Sequence, residues 1–228
     1  MHKKLVLAVL ASAPIALAAA AQNPLAPDGP FVVGEAGLEV ADTGLAVRDT
    51  ELSIAALYHS CPEMAGEKPK KLKLEKLAKK GLLIAADDIP VAHTPGCGYE
   101  EFPPPVLAAC NEPLVAGAPD LRGLWVVHQG AFPGHVERIE QCGNRIVITG
   151  GGVIHDMRAD GTLANGVNDV SAIDCNPIQV AAEFNDGSHD LKPFGLAVLV
   201  TRTLEGEELI WNFLGRSNRL VKLCDLAP

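Results

Sequence analysis

Four histidines in the second half of the chain are the residues best suited to chemistry. They are His128, His135, His155 and His189. A neutral imidazole ligates zinc, copper or haem iron, and its titration near neutral pH suits proton transfer. None of the four, however, has the H-x-H or H-E-x-x-H spacing of a local metal motif. We therefore expect neither a metal site nor a bound cofactor.

An acid–base mechanism would need a carboxylate close to one of these histidines. The carboxylates in the same region are Glu137, Glu140, Asp156, Asp169 and Glu183. An odd separation along a strand puts Glu137 and Glu140 on opposite faces, and the same rule separates His155 from Asp156. The pair that remains as a candidate for acid–base catalysis, in a proton-transfer isomerase or a small hydrolase, is His155 with Glu183. Glu183 lies two predicted strands after His155.

Short β-strands are the elements that must position these side chains. From residue 121 onward, runs rich in β-branched and apolar residues recur every eight to twelve residues, and each ends in turn sequence such as ADGT or NDGS. Leu209, Trp211 and Phe213 alternate with Ile210, Asn212 and Leu214, as a strand requires. The pattern predicts an antiparallel meander of eight or nine strands, and closure into a barrel would remove both edges.

The first of these runs carries a family resemblance. Gly123-Leu124-Trp125 resembles the G-x-W that begins the first strand of lipocalins and related calycins. The resemblance, which covers residues 120–223, implies a mainly β, antiparallel up-and-down barrel of about eight strands. It also implies that Gly123 and Trp125 lie at the closed end of the barrel, with a late arginine, Arg219 or Arg216, over the tryptophan.

The same alternation marks candidate ligand contacts. Leu196, Val198 and Val200 are expected to share one face of a strand, and in a small barrel such residues fill the interior or line a pocket. We expect non-catalytic binding of a small apolar molecule. The predicted ligand-binding residues are Trp125, Val198, Trp211 and Phe213. Two alternatives remain: an envelope enzyme using His155 and Glu183, or a structural protein whose lysine-rich segment 68–80 meets an unknown protein partner.

The first residues of the chain and its cysteines predict the cellular compartment. Residues 1–21 read as a signal peptide: a basic start, an uncharged apolar run and a small-residue cleavage site. The remaining sequence holds no second apolar stretch of spanning length, so stable membrane insertion is not expected. In an exported chain six cysteines predict up to three disulfides. They are Cys61, Cys97, Cys110, Cys142, Cys175 and Cys224. We expect a periplasmic or secreted protein.

Composition and charge complete the sequence-based prediction. The formal net charge is −9, which repels nucleic acids and anionic lipid surfaces. Seven of the nine basic residues from residue 112 onward are arginine, whereas lysine dominates before it. This change predicts a boundary between an N-terminal segment, residues 22–111, and the barrel, residues 112–228. The N-terminal segment is expected to be irregular, partly helical and disulfide-tied.

Overall fold

The computed structural model describes residues 31–34, 37–40, 61, 76 and 79–226. The predicted signal peptide and most of the lysine-rich segment 68–80 lie outside these residues. Strands β1 (Phe31–Gly34) and β2 (Gly37–Val40) form a two-stranded antiparallel hairpin. A 3-10 helix spans Ala86–Asp88. Ten strands form a second sheet: β3 (Gly123–Gly130), β4 (Val136–Cys142), β5 (Arg145–Gly150), β6 (Val153–Arg158), β7 (Val167–Val170), β8 (Pro177–Asn185), β9 (Ser188–Pro193), β10 (Val200–Glu205), β11 (Glu208–Phe213) and β12 (Arg216–Cys224).

The ten-stranded sheet is an up-and-down meander that nearly closes on itself. Every neighbouring pair is antiparallel. Strand β12 pairs with β3, so the strands that come first and last in the chain are neighbours in the sheet. The seam lies between β6 and β7, where the amide of Arg158 donates to Asn165 O at 2.7 Å and that of Gly161 donates to Ala182 O at 2.8 Å. The predicted antiparallel barrel is confirmed at this level.

The number of strands corrects the sequence-based prediction, because the sheet has ten strands rather than about eight. Strand β9 has the polar sequence SHDLKP and therefore lacks a recognisable apolar alternation. The apolar run that follows it is not a strand before Val200. Leu196 and Val198 instead lie exposed in the turn between β9 and β10, so they do not share a strand face with Val200.

Strand alternation sends two sets of residues to the two faces of the sheet. The inner set fills the barrel and includes Trp125, Ile139, Ile146, Leu209 and Leu220. The outer set on β3–β6 is also buried, because the segment before the barrel packs over it through Tyr99, Phe102 and Leu107. This covering explains why every residue of β4 and β5 is buried, although only one face of each strand points inward.

Buried charges fasten this outer segment to the barrel. Arg145 donates to the carbonyl oxygens of Ala86, Ile89 and Pro90 at 2.6–2.9 Å and also binds Asp156. Glu140 accepts the amides of Val106 at 3.2 Å and Leu107 at 2.7 Å. Since irregular backbone has few partners of its own, these side chains satisfy polar groups that burial would otherwise leave unpaired.

The six cysteines form three pairs, and each pair joins a residue before the barrel to the barrel itself. The pairs are Cys61–Cys224, Cys97–Cys175 and Cys110–Cys142, with Cα–Cα distances of 5.7, 5.3 and 6.1 Å. Three disulfides indicate an oxidising, extracytoplasmic environment. Among the described residues, no helix is long and apolar enough to cross a membrane.

Candidate ligand cavity

A cavity of about 280 Å³ opens at one end of the barrel. We call this the mouth end; the turns after β3, β5, β7, β9 and β11 lie there. The wall of the cavity is mostly apolar, and residues from both halves of the sheet contribute to it. Among them are Phe132, Ile148, Val153, Val180, Leu191 and Val200.

Inside the apolar wall, Glu137 and Arg202 form a buried ion pair. Arg202 donates from Nε to Oε2 at 3.0 Å and from Nη2 to Oε1 at 2.6 Å. Burial alone would raise the pKa of Glu137, but the charge of Arg202 and hydrogen bonds from His135 and Arg202 hold that pKa far below its usual value. The carboxylate therefore stays ionised, and its charge is balanced by the guanidinium.

His155 also lines the cavity, from the inner face of β6. Its Nε2 lies 3.1 Å from the carbonyl oxygen of Val170 and donates to it across the seam of the barrel. Burial lowers the pKa of His155, so the ring is neutral at pH 7. With Nε2 protonated, Nδ1 is the acceptor atom of the imidazole.

The structure does not bring together His155 and Glu183, the residues suggested for an enzyme. Glu183 is absent from the cavity wall and lies 2.5 Å from Lys192 Nζ in an ion pair. Asp156 points away from His155 to the opposite face, where Arg145 binds it. The expected separation of Glu137 from Glu140 is present, because Glu140 binds the outer segment while Glu137 faces the cavity.

A polar row crosses three strands at the inner part of the barrel. His189, Arg202 and Trp211 are direct neighbours in the register of β9, β10 and β11. Burial, followed by the charge of Arg202, lowers the pKa of His189 to about 3. Among the described residues, the buried side-chain nitrogen and oxygen atoms that lack a hydrogen-bond partner all belong to this row: both ring nitrogens of His189, Arg202 Nη1 and Trp211 Nε1.

Two of the four predicted ligand-binding residues line this cavity. Trp211 and Phe213 are in its wall, and their rings pack 5.5 Å apart. Val198 is outside it, in an exposed turn. Trp125 lies deeper in the core and donates from Nε1 to Leu121 O at 2.9 Å.

The residues predicted to close the barrel are split between two places. Gly123 is close to Trp125, because a Cβ atom on Gly123 would lie 3.1 Å from Trp125 Nε1. The cation over the Trp125 ring is Lys222, with Nζ 4.9 Å from the ring centroid. Arg219 instead forms exposed ion pairs with Glu205 and Glu208. Arg216 lies near a different ring, that of Phe132.

Arg202 is a cavity residue that was not among the predicted site residues. A signal was present, since Arg202 stands two residues after Val200 and two before Leu204, at an inward position of a strand. A charged residue at an apolar register is rarely buried without a partner. Glu137, the partner, is 65 residues away in the sequence, and no local pattern connects the two.

The chain matches no known protein family, no curated protein and no solved structure. In the part of the chain that the structure describes, no group of three or more His, Cys, Asp or Glu residues could hold a metal ion. The site is an apolar cavity that contains the Glu137–Arg202 ion pair and two buried donors without a partner, Arg202 Nη1 and Trp211 Nε1.

Proposed function

We propose that this protein is an exported, lipocalin-like binding protein that holds a small apolar molecule in the mouth-end cavity without transforming it. The observation that carries the proposal is a cavity with an apolar wall and a few convergent polar groups inside a barrel. Binding sites for small molecules commonly have this composition, because apolar contacts supply affinity and a few polar groups fix orientation.

The volume of the cavity limits the size of the ligand. A cavity of about 150 Å³ lined by apolar side chains holds benzene. The present cavity, at about 280 Å³, is larger by almost a factor of two. It therefore encloses roughly a dozen non-hydrogen atoms, and the remainder of a larger molecule, such as one ring of a multi-ring compound, extends through the mouth.

The charges inside the cavity favour an uncharged polar group on that molecule. Glu137 and Arg202 already neutralise each other, and His155 is neutral, so a buried anion would lack a counter-ion of its own. Arg202 Nη1 and Trp211 Nε1 are donors without a partner, and both side chains line the cavity. A carbonyl oxygen is the complementary group, since it accepts hydrogen bonds without bringing charge.

Binding is favoured over catalysis because the candidate acid and base are already committed. Glu137 is held as an ionised partner of Arg202, and Nε2 of His155 is bound to Val170 O. Glu183, the carboxylate suggested for an enzyme, binds Lys192 instead. The signal-like segment 1–21 and the three disulfides support export to the periplasm or the exterior.

Native mass spectrometry tests the proposal directly. Protein purified from the envelope of its own host should carry a non-covalent extra mass that disappears on denaturation. As a defined probe we suggest the uncharged fluorophore N-phenyl-1-naphthylamine, read by energy transfer from the two tryptophans, of which Trp211 lines the cavity. A 1:1 stoichiometry with a blue-shifted, saturable signal is expected.

Blocking variants locate the bound probe. Val180→Phe fills the cavity from its wall, and Ala172→Phe fills it from the β7–β8 loop if the first variant does not fold. Val115→Phe makes the same kind of change at an exposed position outside the cavity. Loss of probe binding in the blocking variants alone supports the proposal. Unchanged binding in a folded blocking variant overturns it.

A further inference from the structure

His155 presents an open hydrogen-bond acceptor to the cavity. Its Nε2 donates to Val170 O at 3.1 Å, which leaves Nδ1 with a lone pair and no proton. Among the described residues Nδ1 has no hydrogen-bond partner, and it keeps accessible surface, unlike the buried ring nitrogens of His189. The neighbours of His155 on either side in β6 are buried, whereas His155 itself is partly accessible and lines the cavity. A ligand in the cavity can therefore reach this acceptor.

The fold fixes the position of the acceptor. His155 lies opposite Ile148 in the register of β5 and β6, and both side chains line the cavity from the inner face of the sheet. The hydrogen bond from Nε2 holds the ring toward β7. Because a backbone carbonyl oxygen can only accept, this bond also fixes the tautomer. Nδ1 is thus an acceptor in a set place before any ligand arrives, which lowers the entropic cost of a hydrogen bond to it.

Other polar side chains of the cavity wall are already engaged by the protein or by solvent. Glu137 accepts from Arg202 through both carboxylate oxygens. Ser171 Oγ accepts a backbone amide two residues later at 3.1 Å. Gln179 donates to a side chain of β7 at 3.2 Å and is exposed, so water can satisfy its amide oxygen. Nδ1 of His155 differs from these groups, because a ligand that fills the cavity would cut it off from water.

We propose that the ligand of this cavity is an alcohol or a phenol whose hydroxyl group donates to Nδ1 of His155. A wholly apolar molecule in the cavity would cover Nδ1 and leave it without a partner, which costs free energy. A hydroxyl group in the same place supplies the hydrogen bond that water would otherwise make. The inference rests on the proposed function, because it specifies the chemistry of the molecule held there. It makes His155 a specificity-determining residue.

Charge and the surrounding wall favour a hydroxyl group over other donors. An ammonium group would lack a counter-ion, because the carboxylate of Glu137 is already neutralised by Arg202. A hydroxyl group is uncharged and has a single polar atom. The rest of the ligand can then contact the apolar side chains near His155, which include Ile148 and Val153.

Two ligands that differ only in the hydroxyl group test the proposal on the oxidised, disulfide-bonded chain. They are 2-naphthol and 2-methylnaphthalene, which have the same number of non-hydrogen atoms and are both uncharged at pH 7. The anisotropy of their own fluorescence gives each dissociation constant, so no other probe is needed. His155→Phe removes the acceptor. It should raise the dissociation constant of 2-naphthol by about three- to tenfold relative to that of 2-methylnaphthalene, because one hydrogen bond is lost.

Two further variants serve as matched controls for His155→Phe. In His155→Gln the amide group offers a donor to Val170 O and an acceptor oxygen, so the ratio of the two dissociation constants should stay close to that of the wild type. Ile148→Val trims the wall opposite His155 without removing a polar atom, so both affinities should change together. An equal change for the two ligands in His155→Phe would overturn the proposal.

Nitrogen-15 NMR of the wild type gives a test that does not depend on how a variant folds. In histidine-labelled protein, the Nδ1 resonance of His155 is assigned by its absence from His155→Gln. It should move clearly upfield with 2-naphthol and hardly at all with 2-methylnaphthalene. If both ligands bind and neither moves this resonance, the proposal is wrong while the proposed function stands. If the wild type binds neither ligand and no N-phenyl-1-naphthylamine, the proposed function fails and this inference fails with it.

Discussion

Glu137 and Arg202 join opposite walls of the barrel through two hydrogen bonds, of 3.0 and 2.6 Å. The two residues belong to β4 and β10, which three strands separate along the sheet. Both are almost fully buried, at 3% and 4% exposure. The pair thus sets the distance between two walls of the cavity and contributes a fixed, neutralised dipole to its interior.

Breaking this pair at one residue should be much more costly than removing both charges. Arg202→Met leaves the Glu137 carboxylate buried without its partner, which typically costs about 3–5 kcal/mol of unfolding free energy. Combining Arg202→Met with Glu137→Leu should recover most of that loss, because no uncompensated charge remains. Urea denaturation of the two variants and the wild type at pH 7 checks this. Equal destabilisation of the single and double variants would show that packing, not charge, carries the effect.

Stability should fall as the pH drops below neutrality, partly because of His189. Its pKa is about 3 in the folded protein and near the ordinary 6.5 in the unfolded chain. Only the unfolded chain then takes up a proton between these values, so stability is complete above about pH 6.5 and is lost toward pH 3. His155, whose pKa is also lowered by burial, acts in the same direction.

Replacing His189 isolates its share of this dependence. Between pH 5 and 6, the His189→Phe variant should show a slope of unfolding free energy smaller than that of the wild type by about 1 kcal/mol per pH unit, since one titrating group is removed. Denaturation series at fixed ionic strength measure both slopes. Identical slopes would mean that His189 titrates normally in the folded protein and is not buried as described.

The sequence predicted the barrel because alternation and turn residues are local signals. Strand β11 shows this best: Trp211 and Phe213 alternate inward, and both line the cavity. Strand β9 was missed because its inward residues are His189 and Leu191, set among polar neighbours. The turn at 194–199 led to the opposite error, because its exposed apolar residues were predicted to belong to a strand.

The ion pair and the outer layer could not be predicted from such local signals. Glu137 and Arg202 meet only because the sheet curves until β4 and β10 face each other. The partners of Arg145 in the outer segment are backbone carbonyl oxygens, which leave no mark on the sequence. Long-range geometry therefore decides the polar part of the cavity, whereas local pattern decides most of its apolar wall.

Two arginines should differ sharply in their effect on stability. Arg145 is buried and binds three carbonyl oxygens as well as Asp156, so Arg145→Met should cost about 3–5 kcal/mol. Arg219 pairs with Glu205 and Glu208 at the surface, so Arg219→Met should cost less than about 1 kcal/mol. Chemical denaturation measures both. A large loss for Arg219→Met would favour the barrel-closing role that the lipocalin resemblance implies.

The Cys97–Cys175 disulfide should affect ligand binding as well as stability. Cys175 follows Ser171, Ala172 and Ile173, which line the cavity, so the bridge holds this loop against the mouth. Replacing both cysteines by alanine should lower the unfolding free energy by about 2–4 kcal/mol and weaken the binding of N-phenyl-1-naphthylamine. The comparison is the Cys110–Cys142 pair, which joins the outer segment to the far end of β4. Its double alanine variant should lose stability while its probe affinity stays at the wild-type value; equal weakening in both variants would mean that the bridge acts only through global stability.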